Sequence, residues 1–103
     1  MTSKTQIDTA VDLIAKAAHP ARIILFGSHT RGDAGEDSDL DLLVIEPEVA
    51  DRGAEMVRLR RLLRPLRIPV DLLVYSDEDV DHYGDQPGSA LFWALREGKV
   101  VHD

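Results

Sequence analysis

Residues 26–47 read FGSHTRGDAGEDSDLDLLVIEP, and this stretch decides the fold. It links an apolar run at 21–27, ARIILFG, to a second apolar run at 39–45, DLDLLVI. Two carboxylates, Asp39 and Asp41, lie inside the second run. Aspartate is a poor strand former, and burying a carboxylate costs free energy unless its charge is compensated. The pattern therefore predicts that these two side chains bind something that compensates them.

The overall composition is that of an ordinary globular domain. The 103 residues are 44% apolar and 30% charged, so residues 1–103 are predicted to form a single domain. The absence of cysteine excludes disulfides and thiolate metal sites. A net charge of −7 makes nucleic acid an unfavourable partner. No apolar run approaches the roughly 20 residues of a membrane span, so we expect a cytoplasmic protein with no membrane contact.

Hydrophobic periodicity predicts short strands separated by helices, which is typical of a small α/β (α+β) sheet flanked by helices. The predicted order begins with a helix that Ser3 caps and Pro20 stops, and it ends with a short edge strand in KVVHD. The elements between them are a strand at 21–27, a strand at 39–45, a helix at 49–66, a strand at 70–75, a short helix capped by Ser76 or Asp77, and a helix at 89–97 ended by Gly98.

The strand aspartates are predicted to share one face of the sheet. Side chains alternate along a strand, so Asp39 and Asp41 point the same way, about 6–7 Å apart. Asp71 lies in a similar apolar run, VDLLVY, and joins them if the two strands are neighbours. Three clustered carboxylates repel one another unless a cation lies among them. Ligands that are all oxygen favour Mg²⁺ or Mn²⁺.

The segment between the two runs has the features of a phosphate-binding turn. Gly27 and Ser28 follow the first strand, where backbone N–H groups and a hydroxyl can bind an anion. Arg31 can neutralise phosphate charge, although a surface ion pair explains it equally well. Combined with the carboxylates, these residues predict a site for a nucleoside triphosphate and a metal ion.

Alternative interpretations of the same stretch fit less well. GSHTRGD spaces its glycines as a P-loop does, but Asp33 replaces the required lysine. The acidic spacing also resembles an EF-hand, but Leu42 replaces the required glycine. A lone Asp-x-Asp is most simply a pair of solvated charges on an edge strand, and here Gly-Ser upstream and Asp71 favour the site.

Two further features outside this stretch have simple structural interpretations. An arginine run is expected to be the solvated face of a helix. Trp93 and Phe92, at helical spacing, are expected to be buried or to face a partner. The run comprises Arg58, Arg60, Arg61, Arg64 and Arg67.

The motif as a whole resembles the minimal nucleotidyltransferase family of the DNA polymerase beta-like superfamily. Its signature is Gly-Ser, about ten residues, Asp-x-Asp, and a third carboxylate on a later strand. Gly27-Ser28, Asp39-Leu40-Asp41 and Asp71 match it, and the closing ALREGKVVHD is also similar, so the resemblance spans essentially the whole chain. It implies the nucleotidyltransferase fold, with a mixed sheet. It also implies that Asp39, Asp41 and Asp71 bind Mg²⁺ and perform catalysis, while Gly27, Ser28 and Arg31 bind the nucleotide.

The resemblance also implies a partner. Larger enzymes of the superfamily carry an extra domain for the acceptor, whereas this chain has almost no residues beyond the catalytic core. Minimal members are typically paired with a small all-helical HEPN-type RNase toxin. They act as its antitoxin by transferring AMP from ATP to a tyrosine. The expected assembly is therefore a hetero-oligomer, and the expected activity is protein adenylylation.

Two other functions stay open at this point. The first is a non-catalytic antitoxin that neutralises its partner by binding alone, which leaves three clustered carboxylates unexplained. The second is a nucleotidyltransferase that acts on RNA ends through the arginine run, which the net acidity disfavours.

Overall fold

The computed structural model describes residues 4–18, 20, 22–27 and 40–103. None of the helices in these ranges combines the length and the apolar character that a membrane span requires. The elements are α1 (Lys4–Ala18), β1 (Arg22–Phe26), β2 (Leu40–Glu46), α2 (Arg52–Leu63), a 3₁₀ turn (Arg64–Leu66), β3 (Val70–Ser76), α3 (Asp77–Tyr83), α4 (Ala90–Glu97) and β4 (Lys99–His102).

The strands in this part of the chain form one mixed sheet in the order β3-β2-β1-β4. β1 pairs antiparallel with β2 and with β4, whereas β2 and β3 run parallel. The parallel pair is possible because α2 crosses over between the two strands. The mixed sheet and the C-terminal edge strand confirm the predicted fold class.

Helices cover both faces of the sheet, which places β2 at the centre of two cores. On one face, α1 and α2 pack over Leu40, Leu42 and Val44, as alternation predicts. On the other face, α4 packs over Leu43 and Ile45. The face that carries the strand aspartates is therefore apolar along most of its length. Asp41 lies on this second face, at the N-terminal end of β2.

Helix α2 is shorter than the predicted helix at 49–66. It begins at Arg52 because the side chain of Asp51 caps it, accepting a hydrogen bond from the N–H of Ala54 at 3.0 Å. Val49 packs on the core from outside the helix, and Gly53 is exposed rather than part of the buried stripe. The remaining predicted positions do pack on the first core: Met56, Leu59, Leu63 and Leu66.

The predicted Ser76 cap of α3 and the predicted end of α4 at Gly98 are confirmed, and the structure adds a cap at Ser89. Ser76 accepts a hydrogen bond from the N–H of Asp79 at 3.1 Å, and the Asp79 side chain accepts one from the N–H of Ser76. Ser89 caps α4 by accepting from the N–H of Phe92. Gly98 ends α4 by donating to the carbonyl of Ala94. These local contacts set where the last two helices begin and end.

A buried carboxyl at the end of β2 was not foreseen from the sequence. Glu46 is 6% exposed, and its Oε2 has no hydrogen-bond partner within the described residues. Burial, followed by hydrogen bonding to Glu55 and repulsion from that group, raises the pKa of Glu46 to about 7. Arg58 donates to Glu55 at 2.8 Å and holds the pKa of Glu55 low. Glu46 is therefore favoured in its neutral form.

This arrangement predicts a pH-dependent stability. The folded state binds more protons than the unfolded chain between the ordinary Glu pKa of 4.5 and the raised value of about 7. The stability that protonated Glu46 provides is complete below that range and is lost as the pH rises through about 7. Urea unfolding across this range is expected to show a declining free energy that Glu46→Gln flattens, whereas the exposed change Glu48→Gln leaves the decline intact. An unchanged slope in Glu46→Gln would contradict this assignment.

Candidate functional site

Two of the predicted carboxylates lie side by side on the sheet. Asp41 and Asp71 are direct partners in the parallel β2/β3 register, and the strand alternation puts both on the face that α4 packs against. Neighbouring strands lie about 4.8 Å apart, so the two aspartates project from adjacent backbone positions. Asp41 is half-buried, whereas the Asp71 side chain is 54% exposed on the edge strand. Two like charges at this spacing form a favourable site for a cation.

Gly27 brings the backbone against the Asp41 carboxylate. It directly follows Phe26, the antiparallel partner of Asp41. Its φ of +78° lies in the left-handed region that favours glycine. A Cβ at this position would collide with Oδ2 of Asp41 and lie 2.9 Å from its Cγ. Glycine is therefore required both by the turn and by the close approach to Asp41.

The other predicted site residues cannot be compared with the structure. Ser28, Arg31 and Asp39 lie outside the described residues. Among residues 4–18, 20, 22–27 and 40–103, no three acidic, histidine or cysteine side chains are grouped as a metal site. The structure thus brings together Gly27, Asp41 and Asp71, and the contribution of the other three residues stays a prediction.

Arg60 approaches the site from the opposite face of the sheet. Its Nη2 lies 3.8 Å from Oδ1 of Asp71, and both side chains are about half-exposed. Because β3 is an edge strand, an arginine of α2 can reach around it. The sequence predicted a solvated arginine face, and the five arginines of that run are exposed. The contact with Asp71 depends on tertiary packing and has no local sequence signal.

The Arg60 contact predicts competition with a cation. Replacing Arg60 with Ala removes a positive charge about 4 Å from Asp71, which is worth about 1 kcal/mol in water. We expect Mn²⁺ to bind a few-fold more tightly to Arg60→Ala by calorimetry at low salt, with a smaller difference at high salt. Arg61→Ala makes the same change of net charge on the same helix and is the matched control. Weaker Mn²⁺ binding in Arg60→Ala, or an equal gain in Arg61→Ala, would contradict the prediction.

An aromatic side chain and a small cavity lie next to Gly27. Trp93 on α4 is 51% exposed, so the prediction that it is buried is wrong, and its alternative role of facing a partner stays a prediction. Phe92 is buried as predicted. A cavity of about 220 Å³ opens beside Trp93. The described residues that line this cavity are Phe26, Gly27, Ala90, Trp93, Ala94 and Glu97.

Residues 7–99 match the family model of the nucleotidyltransferase domain. The match spans about nine-tenths of the chain and includes both strand aspartates of the described site. A search of curated proteins gives no match.

Solved structures have the same fold at low sequence identity. A candidate nucleotidyltransferase of Sulfolobus solfataricus superposes with a TM-score of 0.64 at 19% identity, over 93% of this chain and 76% of the other. A toxin-antitoxin structure with AMP-PNP superposes with a TM-score of 0.62 at 22% identity, over 90% of this chain and 70% of the other.

Proposed function

Because this chain belongs to the nucleotidyltransferase domain family, we propose that it transfers AMP from ATP to a hydroxyl group of a partner protein. The proposed partner is a small all-helical HEPN-type toxin, the acceptor is a tyrosine, and this chain is the antitoxin. In this proposal residues 1–103 form a single catalytic domain that works in a hetero-oligomer. The similarity to a toxin-antitoxin structure with AMP-PNP supports the choice of partner and nucleotide.

The observation that carries the proposal is the grouping of Asp41, Asp71 and Gly27. Two carboxylates in parallel register supply oxygen ligands suited to Mg²⁺ or Mn²⁺. The Gly27 backbone lies against one of them without a side chain in the way. A triphosphate bound at this turn would therefore meet the metal ligands directly.

Each residue has a role in the proposed reaction. Asp39, Asp41 and Asp71 would hold the metal ions, while Gly27, Ser28 and Arg31 would hold the β- and γ-phosphates. The acceptor oxygen attacks the α-phosphorus as the bond to the β-phosphate breaks, and pyrophosphate leaves. Asp71 lies on the acceptor side and receives the hydroxyl proton. Bound Mg²⁺ or Mn²⁺ would offset the phosphate charge and lower the pKa of the hydroxyl.

The position of Asp71 suits an acceptor that comes from another molecule. Its carboxylate is half-exposed on the edge strand, whereas Asp41 is more enclosed. A macromolecular hydroxyl can therefore approach Asp71 from solvent. The enclosed side, next to Gly27, is left for the nucleotide.

The decisive experiment supplies the purified HEPN partner with Mg²⁺ and ATP that is labelled at either the α- or the γ-phosphate. Transfer of AMP leaves the α-label on the partner and no γ-label, whereas phosphoryl transfer does the opposite. We expect α-label only, an added AMP on a tyrosine by mass spectrometry, and loss of toxicity.

The outcomes separate the alternatives. Neutralisation of the toxin without label, or by an Asp39→Ala/Asp41→Ala variant, would replace the proposal with a binding antitoxin. Label found in RNA rather than in the partner would overturn protein adenylylation. Toxicity that persists with no label would reject the antitoxin function altogether.

A further inference from the structure

Trp93 is the only tryptophan of the chain, and about half of its side chain is in water. Its neighbours on α4, Phe92 and Ala94, are buried. A large aromatic side chain left exposed between buried neighbours is informative because burying it is normally favourable. Its position therefore indicates that a ligand or another surface covers the ring.

The ring of Trp93 is held in place. Its Nε1 donates a hydrogen bond to the carbonyl of Pro87 at 2.9 Å, and the ring of Phe92 meets it edge to face with centroids 5.0 Å apart. The only polar atom of the side chain is therefore already satisfied. What remains exposed is a fixed apolar surface, which can stack against a flat group at little cost in side-chain entropy.

The cavity beside Trp93 has the size and lining for a flat heterocycle. Its volume of about 220 Å³ is below the roughly 300–1,000 Å³ of sites that enclose a drug-sized ligand. It suits one ring system rather than a whole nucleotide. Phe26 and Ala94 supply apolar walls. Glu97 supplies a carboxylate that can accept hydrogen bonds.

The cavity borders the candidate site at Gly27. Phe26 is the cross-strand partner of Asp41, and Gly27 both lines the cavity and lies against the Asp41 carboxylate. A ligand that places its phosphates at Gly27 and Asp41 would bring its base within reach of Trp93.

We propose that Trp93 stacks on the base of the nucleoside triphosphate and that Glu97 accepts a hydrogen bond from its amino group. This inference rests on the proposed function and adds a base-binding surface to it. Stacking strength increases with ring area, so purine nucleotides bind more tightly than pyrimidine nucleotides. Adenine, which has both a purine ring and an exocyclic amino group, fits this site better than uracil.

The test uses Trp93 both as reporter and as target. ATP, UTP and inorganic tripolyphosphate are titrated in Mg²⁺ into the whole chain while the tryptophan fluorescence is followed, and affinities are measured by calorimetry for the wild type, Trp93→Ala and Trp93→Phe. We expect ATP to quench the fluorescence more than UTP. Trp93→Ala is expected to weaken ATP binding roughly 5- to 100-fold, and Trp93→Phe much less. Tripolyphosphate, which has no base, is expected to bind all three equally.

Several results would overturn the inference. Equal ATP affinity in the wild type and Trp93→Ala removes the stacking role, and an equal loss for tripolyphosphate shows that the change disturbed the fold instead. Val57→Ala, which removes another exposed apolar side chain from a helix, is the matched control and is expected to bind ATP normally. Failure of wild type to bind either ATP or tripolyphosphate would reject the proposed function itself. If ATP binds but Trp93→Ala does not weaken its binding, the base-binding role is rejected and the proposed function is not affected.

Discussion

Asp41→Asn is expected to slow AMP transfer by about 10³-fold or more. The change keeps the shape of the side chain but removes the negative charge that pairs with Asp71 to attract a divalent cation. Metal-ion stabilisation of transition-state charge is worth several kcal/mol, and each 1.36 kcal/mol is a factor of ten in rate. The measurement is the initial rate of label transfer from α-labelled ATP to the partner at saturating Mg²⁺.

The control for Asp41→Asn is an equal change of charge elsewhere. Asp85→Asn removes one exposed carboxylate that is not part of the site and is expected to leave the rate unchanged. Circular dichroism of both variants should match the wild type, because Asn and Asp fill the same volume. A wild-type rate in Asp41→Asn would remove Asp41 from the reaction, and a slow Asp85→Asn would point to net charge instead.

Gly27→Ala is expected to destabilise the fold by about 2–5 kcal/mol and to abolish AMP transfer. One part of this cost is the left-handed backbone at φ +78°, which costs an alanine about 1–2 kcal/mol. The other part is the collision of the new Cβ with the Asp41 carboxylate, comparable to overpacking a core by about 1–3 kcal/mol. Urea unfolding at equilibrium measures the loss of stability, and the labelled transfer assay measures the loss of AMP transfer.

A double variant separates these two parts. In Gly27→Ala/Asp41→Ala the Oδ2 and Cγ atoms that the new Cβ would meet are gone, and only the Cβ of residue 41, at 3.3 Å, remains. We therefore expect most of the steric part to be recovered and the backbone part to remain. Gly53→Ala is the matched control, since its Cβ meets only Oδ1 of Asp51 at 3.6 Å on an exposed helix. It is expected to be neutral or to stabilise the protein by up to about 1 kcal/mol. Strictly additive effects of the Gly27 and Asp41 changes would show that the two residues do not collide.

Local patterns were enough to predict most elements and their caps. Ser76 and Gly98 act within one turn of their own helices, so their chemistry and spacing identify them directly. The errors came where a short-range signal competed with a longer pattern. Asp51 starts α2 three residues after the predicted beginning because capping the helix outweighs continuing the apolar stripe through Val49.

Side chains whose role depends on a distant neighbour were harder to predict. Trp93 has the helical spacing of a core residue, yet it is half-exposed on α4, and its Nε1 donates a hydrogen bond to the carbonyl of Pro87. Arg60 reads as one member of a solvated run, yet it reaches Asp71 around the sheet edge. Neither contact is encoded by periodicity, because periodicity specifies which face of an element is apolar and not which element covers it.

The sequence by itself determined which face of each strand carries the aspartates, because side chains alternate with a period of two along any strand. It also determined that a glycine turn follows the first strand. Only the tertiary structure decided that β3 lies beside β2 in parallel, with Asp71 directly opposite Asp41, and that Gly27 lies against the Asp41 carboxylate. Strand order and register depend on how helices on both faces pack over the sheet, and that packing joins residues far apart in the chain.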